Sequence, residues 1–153
     1  MKVGIGLSTQ KDALLAAKEA WEQAKIKIGK ERIDLAILFS SIDLATVSLL
    51  KTISNNLDRI PLLGCSSAAI ISNSGIHRHA VALILLSCEG LSLSVAYVKD
   101  IKAKTTFDAG TELANKLLQG FTASRRDLGI IFCDGLMEEG SKLILGIQER
   151  LGR

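Results

Sequence analysis

Aromatic residues are scarce: four Phe, one Trp and one Tyr in 153 residues. Stacking platforms for single-stranded nucleic acid need more of them. Excess positive charge is also missing, with 19 Lys and Arg against 16 Asp and Glu. The basic clusters are Arg125-Arg126 and Lys25, Lys27 and Lys30, which read as solvated helix faces and turns. A nucleic-acid partner is therefore not expected. Proline occurs once, and 48% of the residues are apolar. That composition excludes long disorder and supports a sizeable core. No apolar run reaches the length of a membrane span; the longest, Ala80 to Leu86, is strand-sized. The N-terminus lacks a signal-peptide core. No membrane partner is expected. Three cysteines, an odd number without paired spacing, argue against a disulfide framework and for a reducing cytoplasm. No P-loop is present, and "GIGLST" lacks the third glycine of a dinucleotide fingerprint. No cofactor is expected.

What is present reads as one α/β domain over residues 1–153. Lys2 to Leu7 alternates, with Val3, Ile5 and Leu7 on one side and Gly4 and Gly6 on the other. Thr9 and Asp12 suggest a capping box for a helix whose stripe is Leu14, Ala17, Trp21, Ala24 and Ile28. "IDLAILF" is a strand apolar on both faces. A helix from near Asp43 would turn Val47, Leu50, Ile53 and Leu57 inward, and Ile60 to Leu63 would be a third strand. This β-α-β-α-β order implies parallel strands. Ala80–Leu86 and Leu91–Val98, separated by "SCEG", suggest an antiparallel hairpin. Thr105 and Asp108 cap a further helix, Leu128 to Cys133 reads as a strand, and a last helix follows Asp134-Gly135. The expected fold is α/β: a mixed β-sheet layer with parallel βαβ units, an antiparallel hairpin insertion and about four flanking helices.

Ligands in open α/β sheets bind beyond the carboxyl ends of parallel strands. Ser40-Ser41, the turn Gly64-Cys65-Ser66-Ser67 and the turn Asp134-Gly135 all stand at expected strand ends. Hydroxyls and backbone amides suit a carboxylate, and Asp134 suits an amine. The same residues also cap helices and make turns, so the motif alone leaves both roles open. "GCSSA" is similar to a nucleophile elbow with Ser66 as nucleophile, but no helix follows it and no acid lies between Ser66 and the histidines. Cys65 with His77 or His79 would be a thiol alternative; a small packed cysteine is the commoner case. His77 and His79 share a strand face and would chelate a metal with Cys65 or Cys88, yet no metal-binding spacing accompanies them. A polar hairpin edge is the plainer reading. Binding is favoured over catalysis, with a Cys65 or Ser66 enzyme and a pure interaction module as alternatives.

The segments "DLAILFSS", "IPLLGCSSAAII" with Gly75 after it, "HAVALILLS", "LSLSVAYV", "AGTELANKLL" and "LGIIFCDGLMEEGSKLILGIQERLG" follow one another in an order that resembles the N-terminal part of the FIST domain (F-box and intracellular signal transduction proteins). The resemblance covers about Ile33 to Gly152. It implies a sensory domain that binds a small polar ligand such as an amino acid and signals to a downstream protein. It points to Gly64 to Ser67 and Asp134-Gly135 as pocket residues. The family's domain usually runs on into a further strand and a "GG" segment, so either a short stand-alone relative or one part of a longer protein is expected here. A homodimer through the half-open face of Leu91–Val98 is a further expectation.

Overall fold

The computed structural model describes residues 1–135, 137 and 139–152. The chain forms two compact units, Met1–Leu91 and Ser92–Arg153. The first holds a four-stranded mixed sheet in the order β1-β6-β2-β3 and a two-stranded antiparallel sheet β4-β5. The strands are β1 Lys2–Ser8, β2 Leu35–Ser41, β3 Leu62–Ser67, β4 Ile70–Ser72, β5 Gly75–His77 and β6 Val81–Ser87. β6 runs antiparallel to both β1 and β2, while β2 and β3 are parallel. β1, β2 and β3 therefore all end at one edge of the sheet, where β6 begins.

Helices α1 (Ala13–Ile28) and α2 (Val47–Ser54) cover one face of this sheet. Asp12 caps α1 by accepting from the Leu15 amide, so the cap is Asp12 rather than Thr9. The face of α1 against the sheet is an alanine column, Ala16, Ala17, Ala20 and Ala24, ending in Ile28. Leu14, expected inside, is exposed. The partner of that column is Gly4 and Gly6 on β1. A Cβ on Gly6 would stand 1.8 Å from the Ala20 carbonyl oxygen, and one on Gly4 2.2 Å from that of Ala24. Alanine against glycine lets helix and strand backbones approach closely. Hence the small residues of β1 point inward. Val3 and Ile5 stay 38% and 47% exposed on the opposite face.

α2 starts later than expected. Ile42–Leu44 forms a 3₁₀ turn, and Thr46 caps the helix by accepting from the Leu49 amide. Ile53 is buried as expected, Leu49 is buried beside it, and Val47 and Leu50, expected inside, are exposed. Leu57, just beyond the helix, remains buried as expected.

In the second unit, α3 (Thr106–Gly120) and α4 (Gly140–Leu151) pack together. Thr105 caps α3 and bonds the Asp108 carboxylate in return. Gly110 and Gly146 form a reciprocal notch: a Cβ on either would meet the other helix's backbone, at Leu143 O (2.3 Å) or Phe107 O (2.2 Å). Ala109, Leu143 and Ile147 are the core of this unit. α4 begins at Gly140, not directly after Gly135, and Leu136 lies outside the described residues. Neither Leu91–Val98 nor Leu128–Cys133 is a strand. The antiparallel hairpin of the fold is β4-β5, and β6 spends its two edges on β1 and β2. Alternating apolar residues favour a strand only where a neighbouring edge accepts the backbone. Among the described residues, no helix is long and apolar enough to cross a membrane.

Candidate functional site

Gly64 to Ser67 are not a turn. β3 runs through them to Ser67, with Gly64 beside Leu38, Cys65 beside Phe39, Ser66 beside Ser40 and Ser67 beside Ser41. Gly64 is required inside the strand for two reasons. Its φ is +151°, and a Cβ there would lie 1.8 Å from the Leu38 carbonyl oxygen. A nucleophile elbow needs a strand-to-helix turn at the serine; Ser66 sits within a strand instead.

The sheet register sorts these residues onto two faces. Ser8, Val81, Ser40 and Ser66 form one row across all four strands on the helix-covered face. Three hydroxyls thus align where β1, β2 and β3 end. Ser8 is buried and donates to Glu19 Oε2 at 2.5 Å, while accepting from the Gln10 amide at 3.3 Å. Ser40 is 5% exposed and Ser66 is open. On the other face lie Ser41 and Ser67, next to Phe39 and Cys65. Ser67 Oγ is committed to its own turn, donating to Ala69 O at 2.8 Å.

Ser41 is nearly fully buried and accepts from the Ala80 amide at 3.2 Å. Its one hydroxyl proton has two acceptors in reach, Ala80 O at 3.3 Å and the Asp43 carboxylate. Asp43, on the 3₁₀ turn after β2, also receives His79 Nδ1. The Ser41 hydroxyl first, and His79 next among the favourable partners, hold the Asp43 carboxyl below its ordinary range, against desolvation. The carboxylate thus fixes the His79 proton on Nδ1. His79 Nε2 is buried and has no hydrogen-bond partner among the described residues. A buried ring nitrogen without a partner calls for one.

Sequence reasoning passed over Asp43, Ser8 and the Asp43–His79 pair. Asp43 looked like a helix cap, and 36 residues separate it from His79. His77 is turned elsewhere, its Nε2 at 3.0 Å from both Ser72 Oγ and Ser74 Oγ. Among the described residues, no group of three or more His, Cys, Asp or Glu side chains could hold a metal. Asp134 and Gly135 stand in the second unit, where Asp134 O accepts from the Met137 amide at 3.0 Å. The six candidates of the first unit stand side by side on β2 and β3, Gly64, Ser40 and Ser66 on one face and Cys65, Ser41 and Ser67 on the other.

Two surface depressions are lined by other residues. One of about 510 Å³ is lined by Tyr97, Lys99, Lys104, Glu112 and Lys116, the other of about 390 Å³ by Arg32, Asp34, Arg59 and Pro61. Both are open, and several of their charges are already paired: Glu112 with Lys104 and Lys116, Asp34 with Arg32. The strand ends make the stronger chemical demand, because there a buried nitrogen is left over.

The family model of the FIST N domain matches residues 34–153. The chain belongs to the FIST N family. FIST domains are sensory domains of signal transduction, and the matched region includes β2, β3, the 3₁₀ turn with Asp43 and the His79 loop. No curated protein and no solved structure matches the chain. In this FIST N chain the Asp43 pair sets an acid dependence. A carboxyl whose folded pKa is lowered stabilises the fold above its unfolded value of about 4 and loses that contribution as pH falls through the lowered value. Asp43→Asn is expected to flatten this part of the acid-unfolding curve, as followed by circular dichroism.

Proposed function

We propose that this chain is a ligand-binding input domain for a small polar metabolite, an amino acid being the best fit. The ligand binds where β1, β2 and β3 end. The observation that carries the reading is His79 Nε2, a buried ring nitrogen with no partner, beside the Asp43 carboxylate. In its neutral form an imidazole held through Nδ1 accepts at Nε2 from an ammonium group, and the nearby negative charge favours that cation. The Ser40 and Ser66 hydroxyls suit the carboxylate end. No nucleophile is bonded to Nε2 among the described residues, which supports binding over catalysis. The signal would pass to a downstream protein. Three free thiols fit a reducing cytoplasm.

A thermal-shift screen of the twenty amino acids tests this. At least one is expected to raise the melting temperature, since a ligand of the native state stabilises by mass action. Ser66→Leu and His79→Asn should abolish the shift; Asn keeps a donor for Asp43 but has no counterpart of Nε2. A shift that survives in both variants removes the proposed site. Asp134→Ala in the same assay reports any contribution from the second unit.

A further inference from the structure

The four-stranded sheet has two edges, and they are treated differently. At β1 two of the outward groups are already used. Ile5 O accepts from Lys27 Nζ at 2.7 Å, and the Leu7 amide donates to Gln23 Oε1 at 3.0 Å. Both side chains come from α1 and compete there with an incoming strand. At β3 nothing similar happens. The Ala36 amide donates to Pro61 O, so odd-numbered residues of β3 face β2. By the two-residue period, the amides and carbonyls of Leu62, Gly64 and Ser66 face outward. Among the described residues none of these groups is bonded to another strand or side chain. Gly64 and Ser66 are exposed.

The usual protections of an edge are also missing from β3. "LLGCSS" contains no Lys, no acid and no proline. Without charge, two copies of this strand meet without repulsion. Gly64 adds no side chain that would hold a second backbone away.

We propose that β3 is a strand-addition edge for a second copy of this chain, pairing antiparallel about a two-fold axis. A two-fold pairing uses the same edge of both copies, so it closes at a dimer. The two sheets then join into one of eight strands. An axis near Gly64 brings the two Cys65 residues to directly opposite or diagonal positions, within about 8 Å.

The test is sedimentation of the full chain from about 1 to about 300 µM, since a dimer forms by mass action. A monomer–dimer equilibrium is expected. Cys65→Lys, which charges the edge, and Ser66→Pro, which removes an outward amide without touching β2, should each weaken association at least tenfold. Circular dichroism confirms that both variants fold. In a Cys88→Ser/Cys133→Ser chain, a short bis-maleimide should link two copies through Cys65. A chain that stays monomeric throughout overturns the proposal. So does a dimer unaffected by both edge variants and not linked through Cys65.

Discussion

Gly6→Ala is expected to lower the melting temperature by roughly 10 °C or more, or to prevent the first unit from folding. The reason lies in one contact. The added methyl would stand 1.8 Å from Ala20 O and 2.7 Å from the Ala20 carbonyl carbon. Both are backbone atoms of α1, so no rotamer change relieves the overlap. Helix and strand must separate by more than an ångström along the whole alanine column. Overpacking of this kind costs about 3 kcal/mol or more, and each kcal/mol moves the midpoint by about 4 °C in a chain of this size. Thermal unfolding followed by circular dichroism measures it. Ile5→Ala, on the exposed face of the same strand, serves as the control and should cost about 1 kcal/mol or less. Equal effects of the two changes would refute the glycine–alanine account.

Gly64→Ala is expected to be the second large effect, and it joins stability to the site. Two costs add there. The backbone at φ +151° is unfavourable for any residue with a Cβ, and that Cβ would lie 1.8 Å from Leu38 O. Relief requires β3 to move off β2. Ser66 and Ser67 then leave Ser40 and Ser41, their partners in the register. The expected loss is about 3 kcal/mol or more, and any ligand-induced thermal shift should vanish with it. Gly75 supplies the comparison. Its φ is also positive, +121°, but a Cβ there meets nothing within 4 Å. Gly75→Ala should therefore cost only the strain, about 1 kcal/mol. If chemical denaturation gives the two alanine variants the same stability, the close approach of β3 to β2 is not what Gly64 serves.

Much of the fold was legible because local patterns and tertiary packing agreed. The parallel β-α-β-α-β order of the first sixty residues is present, as is the Thr105–Asp108 cap of α3. The family could be read from the order of short segments, each weak alone, and the match over residues 34–153 agrees. The site was only half legible. Ser40 with Ser66, and Ser41 with Ser67 on the other face, do stand at strand ends, because parallel pairing of β2 and β3 aligns them residue by residue. Asp43 and His79 could not be paired from sequence, since a contact across 36 residues leaves no local trace.

The alternation of residues 2–7 is enough to make β1 a strand and to put Gly4 and Gly6 on one face. It did not determine which face is inside. Hydrophobicity favours Val3, Ile5 and Leu7; the alanine column of α1 decides for the glycines, because backbone-to-backbone approach needs small residues on both sides. The run "GCSS", small and polar, read as a turn. Only the edge of β2 made it a strand. For Leu91–Val98 and Leu128–Cys133, alternation and apolar content were equally plain, yet neither is a strand. A strand is defined by the neighbour that bonds it, and that neighbour is not written in the segment itself.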